Sequence, residues 1–350
     1  MRSVPALPAG TIDVHTHAIA PDLPDLSDHP GRWPSTERID ETTARILLDG
    51  RPYREVDDRC WSAERRLADM DAEGVAAQLV SPIPVTLCHG EPADGAAVLA
   101  AAQNEFLAEL VGRGGGRLFG LGAVPLQDPA RATAELLRCV GELGFPGVEI
   151  GTRVGDAELA DPRFDEFFDS AAELGAFVLV HPVDQTLDPR LAALGIGFGI
   201  GMPGETAVAA AALLTGRERR PGMRLCLAHA GGALPAVLPR LDRGELLAGR
   251  PGERPPTVRA RDMWCDSLAY DADSLRLAVT RFGPGHVVLG TDYPFAAREA
   301  PAGAVLDGLD DGLRRLIGRD NALDMIAALH PESAVHDKGG PSWARSSASA

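Results

Sequence analysis

Eight short β-branched or apolar runs recur along the chain, each separated from the next by a longer segment rich in Ala, Leu and Glu. They are Thr11 to His15, Ala77 to Ser81, Leu118 to Val124, Gly147 to Gly151, Phe177 to His181, Arg224 to His229, Met263 to Ser267 and Val287 to Thr291. Between them, helices are expected over Arg65 to Glu73, Ala97 to Gly112, Ala130 to Leu143, Phe164 to Leu174, Glu205 to Thr215, Leu234 to Leu241 and Asp273 to Arg281. Repeated strand–helix units build parallel sheets, and eight of them close into a ring. The expected fold is therefore α/β, a (β/α)8 TIM barrel, which needs about 250 residues. A doubly wound open sheet is the rival. It calls for a Gly-rich phosphate loop after a strand, whereas the Gly112 to Gly116 stretch precedes one.

Two stretches interrupt the repeat. Residues 19–60, rich in Pro, Asp and Arg, follow the first strand and read as an insertion over the barrel mouth, and Leu246 to Pro256 reads as a loop leading into strand seven. A single domain over residues 1–336 is expected, with 337–350 a flexible Ser, Gly and Ala tail. The formal net charge of −16 argues against nucleic acid or an anionic membrane surface as a partner. Met1 to Gly10 has neither a basic start nor an apolar stretch of signal-peptide length, and no later run reaches the ~18 apolar residues of a membrane span. The five cysteines are widely spaced and odd in number, which fits a reducing compartment. A cytoplasmic location is the expectation.

In such a barrel the chemistry sits at the C-terminal ends of the strands. Here strand one finishes in Asp13-Val14-His15-Thr16-His17, strand five in Val180-His181-Pro182, strand six in Ala228-His229-Ala230, and strand eight in Thr291-Asp292-Tyr293. Strand alternation puts His15 and His17 on one face. A lone histidine at a strand end is as often a packed or hydrogen-bonded group as a ligand, but four histidines and an aspartate on one rim form a joint pattern. Imidazole and carboxylate donors suit a borderline divalent ion such as zinc. The only lysine is Lys338, in the tail, so neither a Schiff base nor a lysine-carbamate metal bridge is available to the barrel. Strand four offers Glu149 instead, read as a structural or supporting group. Asp13 reads as an orienting partner of the metal-bound imidazoles.

The chain resembles the amidohydrolase superfamily, in the decarboxylase branch typified by 2-amino-3-carboxymuconate 6-semialdehyde decarboxylase. The resemblance runs from about Thr11 to Leu329. It rests on the strand-end residues and on four extended runs, namely Val124 to Asp128, Gly201 to Thr206, Arg254-Pro255-Pro256 and Leu289 to Phe295. It implies that His15, His17, His181 and Asp292 hold one divalent metal ion, with Zn2+ the first expectation. It further implies that His229 stands beside the metal-bound water as acid/base, with Asp292 assisting proton transfer. Arg54 and Arg240 are implied to bind substrate carboxylate, with Arg51 a weaker candidate. In the family the second arginine crosses a dimer interface, so a homodimer with Arg240 reaching into the neighbouring site is implied.

The implied reaction is non-oxidative decarboxylation of an unsaturated or aromatic carboxylic acid. The family carries Trp directly after the Pro that follows the strand-five histidine. Here Val183 stands there, and Pro84 to His89 replaces the usual aromatic residues after strand two, leaving the exact acid open. A hydrolase of the same superfamily, opening a lactone, amide or imine bond, is the alternative. A non-catalytic barrel is a third reading, opposed by the complete ligand set.

Overall fold

The computed structural model describes residues 7–184, 187–216, 223–249 and 254–327 of the 350. Lys338 and the 337–350 tail lie outside them. Eight strands pair in parallel in strict chain order: β1 (Thr11–Ala18), β2 (Val75–Pro82), β3 (Leu118–Ala123), β4 (Gly147–Gly151), β5 (Phe177–His181), β6 (Arg224–Leu227), β7 (Trp264–Asp266) and β8 (Val287–Val288). The ring closes where the end of the chain meets its beginning. Val14 N–H donates to Leu289 O at 2.8 Å, His17 N–H to Tyr293 O at 2.7 Å, and Asp292 N–H to His15 O at 2.9 Å. The expected (β/α)8 barrel is the observed one.

Alternation along the strands sorts the side chains. Val178 and Val180 join the cluster that holds helix residues such as Leu136 and Phe168, so they pack outward. Phe177 and Leu179 join Leu79, Leu121 and Cys226 in the inner cluster. The same parity turns His181 and Glu149 inward. All five cysteines are free.

Helices begin where a side chain can take the first unpaired N–H groups. Ser62 accepts from Arg65 N at 3.1 Å ahead of the helix Ala63–Glu73, Asp128 from Arg131 N at 3.2 Å ahead of Pro129–Gly141, and Asp271 from Asp273 N at 2.9 Å ahead of Ala272–Phe282. Two expectations are revised. The helix starting at Leu234 runs on to Leu247, into what reads from sequence as loop. The Gly197–Thr215 stretch, 19 residues with mean hydropathy 1.3, does meet the length and composition of a membrane span, contrary to the reading above. In the fold its Ala207, Ala209, Ala210, Leu213 and Leu214 are buried in the barrel's outer core cluster, while Phe198, Ile200 and Val208 stay exposed.

Within the insertion, Pro34–Arg38, Thr43–Leu48 and Arg51–Asp57 form a three-stranded antiparallel sheet. Ala44, Ile46 and Val56 pack with Ile19, Ile83 and Val85 of the barrel rim, which seats this sheet at the mouth.

Candidate metal centre and active site

His15, His17, His181 and Asp292 each bring one donor atom to a common point, all within 4.8 Å of one another and all buried. Hydrogen bonds on the far side of each ring decide which nitrogen faces that point. His15 Nδ1 bonds the Asp266 carboxylate at 2.6 Å, His17 Nδ1 the Pro82 carbonyl at 3.0 Å, and His181 Nδ1 the Pro182 carbonyl at 2.7 Å. A carbonyl or carboxylate only accepts, so each Nδ1 carries a proton and each Nε2 is the nitrogen turned to the common point. His15 Nε2 and His17 Nε2 nevertheless stand 3.1 Å apart, and Asp292 Oδ1 lies 3.1 Å from the second and 3.6 Å from the first. His181 Nε2 is buried without a hydrogen bond to any described residue. Three Nε2 atoms and a carboxylate oxygen this close need a proton or a metal ion among them. The donor set fits one divalent metal ion.

His229 completes the group. Its ring centre is 4.9 Å from that of His181 and 5.4 Å from that of His15, and its buried Nδ1 bonds no described residue. It does not prolong its strand, as sequence alone suggests. Residues 229–232 all have positive φ, from 55° to 79°, and a residue with a side chain adopts that conformation only under tertiary constraint. The constraint is Asp266, at the end of β7. Its carboxylate accepts from the backbone N–H groups of His229 at 2.9 Å, Ala230 at 2.7 Å and Leu268 at 3.0 Å, as well as from His15 Nδ1. A Cβ at Gly290 would lie 2.7 Å from the Cβ of both His15 and Asp266, so glycine there is what lets the pair meet.

One carboxylate thus aims a metal ligand and holds the turn that carries the neighbouring histidine. Asp266→Asn is expected to weaken metal affinity by about 10- to 100-fold and to lower kcat beyond the loss of metal. Metal titration with kcat at saturating metal checks both, and an unchanged affinity would contradict the role.

Burial shapes the ionisation of the site. It pulls His17 down to about 4 and His181 well below the usual histidine value, with neighbouring imidazoles adding to the effect on His181. Burial and the charge of His15 also lower His229. All three are neutral at pH 7. Burial also acts against the His15 cation, but the Asp266 bond and the charges of Asp266, Asp292 and Glu149 outweigh it and raise His15 to about 9. Burial raises Asp292, but the adjacent His17 and His15 side chains outweigh it and hold it below the ordinary carboxylate value. Metal binding must therefore displace a proton from His15.

These groups open into a cavity of about 610 Å³, whose outer wall is the insertion sheet. Arg54 lines it. Its guanidinium lies 4.5 Å from the centre of the Phe295 ring, which itself stacks on His17 at 5.2 Å.

The profile of the amidohydrolase family matches residues 12–326. A 2-amino-3-carboxymuconate-6-semialdehyde decarboxylase of Dictyostelium discoideum is 31% identical over 310 residues, covering 86% of each chain. The chain belongs to the amidohydrolase family. A gamma-resorcylate decarboxylase of Rhodococcus jostii is 27% identical, with 91% of this amidohydrolase and 98% of that protein covered. The crystal structure of 5-carboxyvanillate decarboxylase from Sphingomonas paucimobilis superposes with a TM-score of 0.67 at 26% identity, over 75% of this chain and 82% of that one. The fold is also that of the Polaromonas dihydroxybenzoic acid decarboxylase, solved with manganese and 2-nitroresorcinol, at TM-score 0.73, 22% identity and coverage of 94% and 100%. With such relatives the amidohydrolase is a carboxy-lyase of its superfamily.

The remaining candidate residues of this amidohydrolase fall in different places. Arg51 is exposed, paired with Leu48 at the hairpin end, and is not among the residues lining the cavity. Arg240 is exposed on the helix Leu234–Leu247, also away from that lining. Asp13 is not the orienting partner expected. Its carboxylate accepts from Thr291 Oγ1 at 2.6 Å, Thr291 N at 3.1 Å and His15 N at 3.2 Å, tying the first strand to the last without touching an imidazole.

Glu149 is fully buried, with Oε2 3.9 Å from His17 Nδ1, and burial pushes it up to about 8. Val183 lies outside the metal cavity and borders an adjacent one of about 300 Å³ with Leu87, Cys88 and Arg153. Three contributors were missed by sequence reading. Asp266 ends a barrel strand, the same signal that picks out Asp292. Phe295 and the fully buried Arg66, which bonds Thr16 Oγ1 and Gln78 Oε1 at 3.0 Å each, carry no such signal.

Proposed function

We propose that this amidohydrolase is a metal-dependent, non-oxidative decarboxylase of an unsaturated or aromatic carboxylic acid. The observation that carries the reading is the convergence of three Nε2 atoms and Asp292 Oδ1 beside a half-buried, neutral His229 in a cavity flanked by an arginine. His15, His17, His181 and Asp292 would hold one divalent ion, which supplies Lewis acidity toward an oxygen of the acid. Zinc is expected from the donors, and manganese is present in the Polaromonas relative. Arg54 anchors a carboxylate by charge-assisted hydrogen bonds. The C–C bond to the departing carboxylate breaks, its electron pair stays on the carbon skeleton, carbon dioxide leaves, and His229 relays the proton that the carbon takes up.

The acids named in the relatives, 2-amino-3-carboxymuconate-6-semialdehyde, gamma-resorcylate and 5-carboxyvanillate, define the classes to try first. Protein loaded with zinc or manganese is expected to release carbon dioxide from at least one such acid. Ester or lactone opening without carbon dioxide from any of them would favour the hydrolase instead.

A cytoplasmic homodimer is part of the same proposal. Leu194, Phe198 and Ile200 are 63%, 58% and 58% exposed, and Phe198 also lines the cavity, so an apolar surface runs from the active-site mouth outward. Exposed Arg240 would then enter the partner's site.

A further inference from the structure

Arg66, in the helix Ala63–Glu73, is completely buried. Its Nη1 donates to Thr16 Oγ1 and Gln78 Oε1 at 3.0 Å each, and its Nη2 donates to the His17 carbonyl and, at 3.2 Å, to the Arg59 carbonyl. The guanidinium carbon lies 4.8 Å from the centre of the Tyr293 ring. Among the described residues no carboxylate pairs with this cation. Asp69, one turn further along the helix, accepts instead from the Tyr293 hydroxyl at 2.8 Å and pairs with Arg65 at 3.6 Å.

A buried cation is costly, and apolar side chains would tie a helix to a barrel without that cost. What a guanidinium adds is geometry, because its rigid planar fork fixes several acceptors relative to one another. The groups it holds here share a location. Thr16 stands between the ligands His15 and His17, His17 is itself a ligand, and Tyr293 directly follows the ligand Asp292. Thr16 pairs with Tyr293 across the ring closure, where the His17 N–H donates to the Tyr293 carbonyl at 2.7 Å. One side chain therefore holds both segments that supply His17 Nε2 and Asp292 Oδ1, which stand 3.1 Å apart. The remaining carbonyl, that of Arg59, belongs to the turn Asp58–Cys60 that follows the insertion sheet, and Arg59 lines the metal cavity.

We propose that Arg66 is a positioning residue for the metal centre, which sets the main chain carrying His17 and Asp292 and links it to the Asp58–Cys60 turn. Coupling between two sites is reciprocal, so an ion that fixes His17 and Asp292 also fixes the turn, although no ligand lies on it. The inference rests on the metal centre and not on the decarboxylase reading, and no arm of its test needs turnover.

The test compares amide hydrogen exchange of the full chain without metal and with cobalt, alongside cobalt titration and the visible spectrum of the cobalt-loaded protein. In the wild type, cobalt is expected to slow exchange across residues 58–66 by about fivefold or more. Arg66→Lys keeps the charge but replaces the fork with a point donor on a flexible stem. It is expected to bind cobalt about 10- to 100-fold more weakly, to alter the cobalt spectrum and to lose the protection of residues 58–66. Leu136→Ala, in the outer core cluster, is the control for lost stability. It is expected to melt at a lower temperature with wild-type affinity, spectrum and protection.

Arg66→Lys with wild-type affinity and spectrum, or with the protection intact, means a structural tie alone and overturns the proposal. So do equal losses in Leu136→Ala. Cobalt binding that leaves exchange at residues 58–66 unchanged in the wild type also overturns it, and slowing there supports it even if Arg66→Lys does not fold. A wild type that takes up no cobalt overturns the metal centre and this proposal together. A wild type that meets every expectation yet releases no carbon dioxide from any tested acid defeats only the decarboxylase reading.

Discussion

Asp292→Asn protein, purified from metal-replete medium, is expected to hold well under one equivalent of divalent metal and to lose activity by about three powers of ten or more. The replacement is chosen for its backbone. Asp292 has φ +67°, a left-handed conformation that asparagine tolerates far better than alanine, so the fold should survive. What goes is the one carboxylate that offsets the ion's charge among three neutral imidazoles. Elemental analysis and a carbon dioxide assay at raised metal concentration separate the two losses. Full occupancy with unchanged turnover would remove Asp292 from the ligand set.

His229→Asn is expected to keep its metal and to lower kcat by about two to four powers of ten, with little change in KM. His229 also sits at positive φ, +58°, and its backbone N–H remains free to bond Asp266, so the turn is preserved in the variant. The residue is neutral in the resting site because burial and the positive charge of His15 both disfavour its protonation. It is therefore ready to accept a proton and hand it on. A proportional fall in bound metal would make His229 a fifth ligand, and an unchanged kcat would end its acid/base role.

The barrel and its ligands were legible because both follow from local rules. A parallel strand buried on both faces needs a continuous apolar run, and the helix after it needs an apolar stripe, so eight runs announced eight units. Strand ends point to one rim, and His15, His17, His181 and Asp292 meet there. Boundaries were less legible at β6 and β8: after Leu227 the chain leaves the ladder for the left-handed turn at His229 and Ala230, and after Val288 it keeps only single bonds to β1 on the way to the left-handed Asp292. Those turns are held by long-range bonds such as Asp266 to His229, 37 residues apart, and no local signal encodes them.

Sequence by itself determined the α/β barrel, the donor set at its mouth and, since residues 1–337 contain no lysine, strand ends with no lysine to form a carbamate bridge. Tertiary structure alone decided which acid serves which imidazole. Asp13 and Asp266 both sit on barrel strands near His15, yet Asp13 faces the backbone of Thr291 while Asp266 reaches the His15 ring past Gly290, where a Cβ would intervene. It also decided that Arg54 lines the cavity whereas Arg51, three residues away on the same strand, does not. A register shift opposite Ile46 and Leu47 interrupts the alternation between the two, and docking of the insertion sheet against Ile19, Ile83 and Val85 brings residues 53–57 to the cavity while the hairpin end stays outside it.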